Sequence, residues 1–150
     1  MNITTEYLPE YRDQVFQLIK EFEQESFREL GLELNPDTFD DAVESQKDSS
    51  FLMLVDGKVE GLLSGTLVNG FGLKGTIWQE VIWYVRKPYR KYGLKLFKMA
   101  YSTLKDRGVD AIMTAHLNNR IGMRIGRMYK RLGFRPVETH YIRRLDDGDR

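Results

Sequence analysis

Ten residues rich in branched and aromatic side chains, Thr76 to Val85, run directly into the basic turn Arg86-Lys-Pro-Tyr-Arg-Lys-Tyr-Gly-Leu-Lys95. An apolar series at helical spacing follows, Leu94, Phe97, Tyr101 and Leu104, closed by Gly108. Such a long apolar strand needs sheet neighbours, and Pro88 stops its pairing so that the chain must leave the sheet as a helix. Backbone N–H groups at the start of that helix, aided by its dipole, make the turn a candidate anion site. Gly93 would let backbone approach a phosphate closely, and Arg86, Lys87, Arg90, Lys91 and Lys95 would favour its charge. An ordinary capped helix with solvated lysines has the same pattern, so the turn alone does not decide the matter.

The remaining elements fit around that crossing. Asn2 to Glu6 reads as a first strand, and Tyr11, Val15, Leu18, Ile19 and Phe22 as the apolar stripe of a helix that tolerates Pro9 in its first turn. Gly31 to Asp37 interrupts this pattern, and a shorter helix is expected over Asp37 to Glu44. Phe51–Val55 and Lys58–Val68 are strand-like runs joined by Asp56-Gly57, a favoured two-residue hairpin turn. Asn69 to Gly75 holds three glycines and reads as a flexible loop that could gate a site. Val109 to Ala115 is expected as a short strand, and Ile121, Ile125, Met128, Tyr129 and Leu132 as the stripe of a fourth helix stopped by Gly133. Phe134 to Leu145 is expected as a last strand. The order β α α β β β α β α β predicts one α+β domain spanning residues 1–150, a mixed, mostly antiparallel sheet flanked by about four helices.

Composition limits the chemistry. The 150 residues contain no cysteine, which removes disulfides, thiolate zinc sites and a cysteine nucleophile together, and a reducing cytoplasm is the expected compartment. No signal-peptide pattern opens the chain, no apolar run reaches membrane-spanning length, and a soluble protein is expected. The net charge of +1 hides an asymmetry: residues 1–50 carry 13 acids and 4 bases, net −9, whereas residues 51–145 carry 6 acids and 18 bases, net +12. A basic region suits a polyanion, and an acidic one could attract a cationic amine.

The chain resembles the GNAT superfamily of N-acetyltransferases over nearly its whole length. The element order matches. Arg90-Lys-Tyr-Gly93-Leu-Lys95 is similar to that family's cofactor loop at its first two fixed positions and departs at the third, where Lys95 replaces a small residue. Met128-Tyr-Lys-Arg-Leu-Gly-Phe134 resembles the family's passage from a helix to the last strand. The resemblance implies a sheet splayed between its fourth and fifth strands, with acetyl-CoA as co-substrate in the opening. Tyr84 and Val85 would meet the pantetheine arm through their backbone. Arg90, Lys91, Tyr92, Gly93, Leu94, Lys95 and Leu96 would surround the pyrophosphate. Tyr129 would protonate the departing thiolate, although a core aromatic fits the same stripe. The family often has an Asn where this chain has Gly122, and Asn118 or Asn119 would substitute.

Acyl transfer to an amine needs a proton acceptor. Glu80, five residues before Val85, is the first candidate because burial would raise its pKa into a useful range, and His116 is the second. A solvated Glu and a structural His are the plainer readings of each. Glu21, Glu23, Glu25, Phe27, Phe39 and Asp40 would form an acceptor wall suited to a cationic amine, with Trp78 or Trp83 lining it or packing in the core. Arg120, Arg124, Arg127, Lys130, Arg131 and Arg135 make a basic face that could instead hold nucleic acid, with the fold used without catalysis. Lys95 and Gly122 also allow a non-catalytic family member. A homodimer formed through the last strand is a further expectation of the resemblance.

Overall fold

Asp56 and Gly57 take φ of 50° and 76°, the pair of positive values that a tight hairpin turn with right-handed twist requires. The computed structural model describes residues 1–28, 33–69 and 74–145. The hairpin joins β2 (Ser50–Val55) to β3 (Lys58–Val68), the centre of a sheet ordered β1-β2-β3-β4-β5, with β1 at Asn2–Thr4, β4 at Ile77–Val85 and β5 at Ala111–Met113. The first four strands are antiparallel neighbours and β5 joins β4 in parallel. Among the described residues, four α-helices cover the sheet: α1 (Arg12–Ser26), α2 (Pro36–Gln46), α3 (Gly93–Asp106) and α4 (Arg120–Arg131).

The apolar run Phe-Leu-Met-Leu of β2 has no polar alternation because both of its faces are buried. Phe51 and Met53 enter the core with Leu96, Phe97, Ala100 and Tyr129 on the α3 and α4 side. Leu52 and Leu54 enter a second core with Val15, Leu18 and Phe39 on the α1 and α2 side. The stripe of α3 is therefore Leu96, Phe97, Ala100 and Leu104, whereas Leu94 and Tyr101, expected inside, are exposed. The Asn35 side chain caps α2 by accepting from the Asp37 amide at 2.9 Å.

Gly133 closes α4 as expected, with φ of 91°. Its amide donates to the Lys130 carbonyl at 3.1 Å and that of Phe134 to the Tyr129 carbonyl at 3.0 Å, while the Phe134 and Tyr129 rings lie 5.5 Å apart. This is a Schellman closure with its apolar contact, and it locks Tyr129 in place.

The expected last strand is a correction. Residues 134–144 form no strand, and Val137, Tyr141, Ile142 and Leu145 are exposed. Alternation over this stretch reads as β, but Pro136 has no amide to donate and β5 offers an edge only three residues long. The expected strands Asn2 to Glu6 and Val109 to Ala115 shorten to Asn2–Thr4 and Ala111–Met113. Gly31, within the expected helix break, and positions 70–73 of the expected gating loop lie outside the described residues.

Candidate active site

The site follows from two irregularities in β4. Its pairing with β5 covers only Ile77, Trp78 and Gln79, so from Glu80 to Val85 one edge of β4 has no strand partner among the described residues. On the other edge, Ser64 pairs with Ile82 and Gly65 with Glu80, which leaves Val81 as an extra residue in a β-bulge. Strict alternation would put Glu80 on the same face as Ile82 and Tyr84. The bulge moves it to the face of Trp83 and Val85, beside α3 and α4.

Antiparallel alternation also assigns the backbone groups. The Arg86 amide donates to the Glu60 carbonyl at 3.0 Å, so Tyr84, opposite Leu62, bonds across to β3 as well. Trp83 and Val85 therefore aim their N–H and C=O groups into the opening, and Arg90 Nε donates to the Val85 carbonyl at 3.1 Å. Of the two residues expected there, Val85 presents its backbone to the splay and Tyr84 does not. Trp83 takes that place. Its ring stacks on Phe97 at 5.3 Å and lies 6.3 Å from Tyr129.

Glu80 and Tyr129, expected separately from sequence, are in contact. The Tyr129 hydroxyl lies 3.2 Å from Glu80 Oε2 and 3.2 Å from the Ala115 carbonyl, and its single proton can be donated to either. Burial pushes the Glu80 carboxyl up to about 7, partly opposed by hydrogen bonds from Tyr129 and the Ala115 backbone. Burial, then the nearby Glu80 charge, raises the Tyr129 hydroxyl well above its ordinary value. No cation faces Glu80 at ion-pair distance among the described residues, which is why desolvation governs it.

His116 stands apart. It is exposed, its Nδ1 lies 3.0 Å from the Leu117 carbonyl, and its ring sits where a Cβ on Gly126 would approach within 2.7 Å. The absence of Asn at position 122 has a steric cause: a Cβ there would come within 1.7 Å of the Leu117 carbonyl oxygen. Asn119 is occupied as the cap of α4, accepting from the Gly122 amide at 2.8 Å, and Asn118 is exposed.

The basic turn forms a 3₁₀ segment, Lys87–Tyr92, that leads into α3. Its charges are divided. Arg86 donates to Glu21 at 3.0 Å and to Glu60 at 3.0 Å, and Arg90 donates to Glu25 at 2.7 Å while lying 5.8 Å from the Tyr84 ring. Lys91 lies over Tyr92, Lys95 and Leu94 are exposed at the start of α3, and Leu96 is buried. Gly93 has φ of −55°, and a Cβ there would meet Trp83 at an ordinary 3.7 Å. Packing within the protein does not demand glycine at this position.

The expected acidic wall is largely satisfied internally. Glu21 and Glu25 hold Arg86 and Arg90, Glu23 accepts from the Leu34 amide at 2.7 Å, and Asp40 holds Arg12 at 2.9 Å. Phe39 is buried, and the Trp78 indole is locked in the core by donation to the Ser49 carbonyl at 2.9 Å. The arginines of α4 at 120, 124, 127 and 131 are exposed.

Residues 12–134 match the Acetyltransferase (GNAT) family, and the chain belongs to it. It is an acetyltransferase by that membership, and the family generally uses acetyl-CoA. No curated protein sequence matches the chain. Among solved structures, it is similar to an aminoglycoside acetyltransferase, HMB0005, from an uncultured soil metagenomic sample (TM-score 0.71, 18% identity, 97% of this chain and 99% of that one). A GNAT-family acetyltransferase from Staphylococcus aureus Mu50 matches with TM-score 0.69 and 19% identity over 91% of this chain and 85% of that one. A tetramutant of the BH1408 protein of Bacillus halodurans matches with TM-score 0.72 and 21% identity over 97% and 100%. At these identities the likeness is one of fold. No described helix is long and apolar enough to cross a membrane.

Proposed function

We propose that the chain is an N-acetyltransferase that moves an acetyl group from acetyl-CoA to a primary amine by direct attack within a ternary complex. The observation that carries this reading is the Glu80–Tyr129 pair, set beside a β4 edge that has no strand partner. The residues present fit the co-substrate: the outward backbone groups of Trp83 and Val85 suit an amide-bearing arm, and the first turn of α3 at Gly93 to Leu96 suits a pyrophosphate. Acetyl-CoA supplies a thioester whose carbonyl accepts the amine.

Glu80 accepts the amine's proton, for which a carboxyl near 7 is well matched to neutral pH. A backbone N–H of β4 near Val85 would stabilise developing negative charge. Tyr129 holds a proton for the leaving sulfur. Burial, and then the Glu80 charge, disfavour proton loss from Tyr129; once Glu80 is protonated the charge part of that penalty is removed while burial remains, and the carboxyl can return a proton to the phenol across their 3.2 Å contact. The two groups thus act in sequence as one proton-carrying unit.

Calorimetry with acetyl-CoA, followed by thiol-release assays over amine acceptors, tests the proposal. Micromolar binding and amine-dependent thiol release are expected. Absence of binding at tens of micromolar protein would overturn it.

A further inference from the structure

On the face of β4 opposite Glu80, α1, α2, β3 and β4 line a partly open cavity of about 210 Å³. We infer that this cavity receives the uncharged, apolar body of the acceptor, so that the amine used is an arylalkyl or similarly hydrophobic amine rather than a polycation. The inference rests on the acetyltransferase reading above and specifies its acceptor.

The cavity is partly open to solvent, so a ligand can enter it without displacing the helices around it. An apolar cavity of about 150 Å³ is enough to hold benzene. The walls come from Val15 and Ile19 of α1, Phe39 and Val43 of α2, and Leu62 and Ile82 of the sheet. Among the described residues that line it there is no carboxylate, and the single charged one is Lys47.

Of the acidic side chains of α1 and α2, Glu21, Glu23, Glu25 and Asp40 are turned to Arg86, the Leu34 amide, Arg90 and Arg12, and Glu44 is turned to Lys47. A polyamine entering here would lose its hydration and meet Lys47, already paired with Glu44, with no carboxylate among the described lining residues. An aromatic or aliphatic body would lose little.

Two details place the cavity within reach of the chemistry and mark it as a ligand site. Ser64 and Val81 line it, and these residues form the bulge beside Glu80. An amine on a short linker can therefore pass from the cavity around the unpaired edge of β4 to the carboxylate. Tyr7 also lines the cavity, and its hydroxyl is shut off from solvent with no hydrogen-bond partner among the described residues. A buried hydroxyl left unbonded is costly, and a polar atom on the acceptor body would satisfy it.

Phenethylamine, tyramine, spermidine and kanamycin, compared as acceptors and titrated directly onto the protein without acetyl-CoA, test this. Both aromatic amines should exceed spermidine and kanamycin in kcat/KM by at least tenfold and should bind the free protein. Val43→Phe, which fills the cavity, should raise KM for phenethylamine about tenfold or more with acetyl-CoA affinity unchanged. Tyr7→Phe removes only the unpaired hydroxyl, so it should fold as well as the parent and lower the tyramine-to-phenethylamine ratio several-fold. Equal or faster turnover of the polycations would overturn the inference, as would failure of both aromatic amines to bind directly. Loss of acetyl-CoA binding would instead strike the parent proposal and leave the direct titrations to decide this one.

Discussion

The two faces of β4 treat buried carboxylates in opposite ways. Towards α1, Glu21 and Glu60 share Arg86, and Glu25 takes Arg90 together with the Tyr84 hydroxyl at 2.8 Å. Hydrogen bonding from Arg86 holds the Glu21 carboxyl below its ordinary value despite partial burial. Towards α4, Glu80 has, among the described residues, only the Tyr129 hydroxyl and the Ala115 backbone, and burial pushes it to about 7. One face uses charge to tie a helix to the sheet. The other leaves a charge uncompensated, which is poor for stability and useful for proton transfer.

The contrast breaks most visibly at Glu80. Glu80→Gln should lower kcat by about 10² to 10⁴ and remove the rise in activity that the parent enzyme should show as pH passes through about 7. The same change should stabilise the fold. A carboxyl whose folded pKa lies above its unfolded value contributes full stability below the ordinary carboxylate range and loses it as pH rises to about 7. At pH 8 the substitution should therefore gain up to roughly 3 kcal/mol, the free-energy equivalent of the upward shift. Thermal melts at pH 5 and pH 8 would measure it; equal melting shifts at the two values would mean that Glu80 is not desolvated.

Tyr129→Phe should cost less, about 10- to 100-fold in kcat, with acetyl-CoA affinity little changed. Because the Tyr129 hydrogen bond pulls the Glu80 carboxyl down, its loss should move the ascending limb of the pH profile above about 7. An unmoved limb would separate the two residues. On the paired face, Arg86→Met should act on stability rather than proton transfer, costing about 2 to 3 kcal/mol near neutral pH by leaving Glu60 buried without a cation. That loss should shrink as pH falls, since the carboxylate contribution held by Arg86 is present above the ordinary range and disappears as Glu21 protonates. Melting curves at pH 7 and pH 4 would check the sign.

Sequence made the hairpin, the helix stops and the strand-to-helix turn legible, because each has a local cause: positive φ at Asp56 and Gly57, a Schellman closure at Gly133, and Pro88 after Val85. It also picked Glu80 and Tyr129 out of the chain. Their contact was not legible, since 49 residues separate them and the bulge at Val81 reverses the face that alternation assigns to Glu80. The resemblance points to Tyr84 at the splay, but pairing with Leu62 turns the Tyr84 backbone towards β3 and leaves that of Trp83 in the opening. Arg86 and Arg90 read as phosphate ligands because a list of bases in a turn does not say which of them meet carboxylates from α1, 65 residues away in sequence. Residues 134–144 looked like a strand because alternation is local, whereas pairing needs an edge that β5 is too short to offer.

Gly93 carries the smallest expected effect on the protein itself and the sharpest test of where phosphate binds. Its backbone is helical, and a Cβ would make only van der Waals contact with Trp83 and, at 3.9 Å, with Val85. Gly93→Ala should therefore leave stability unchanged or raise it by a few tenths of a kcal/mol through helix propensity. If the first turn of α3 holds the pyrophosphate, the added methyl group occupies the side from which backbone and phosphate would approach, and acetyl-CoA affinity should fall about tenfold or more while the melting temperature holds. Should affinity survive with the fold intact, glycine at this position would have neither a packing reason nor a binding one. The anion site would then have to be sought among Lys91 and Lys95, whose charges α1 does not hold.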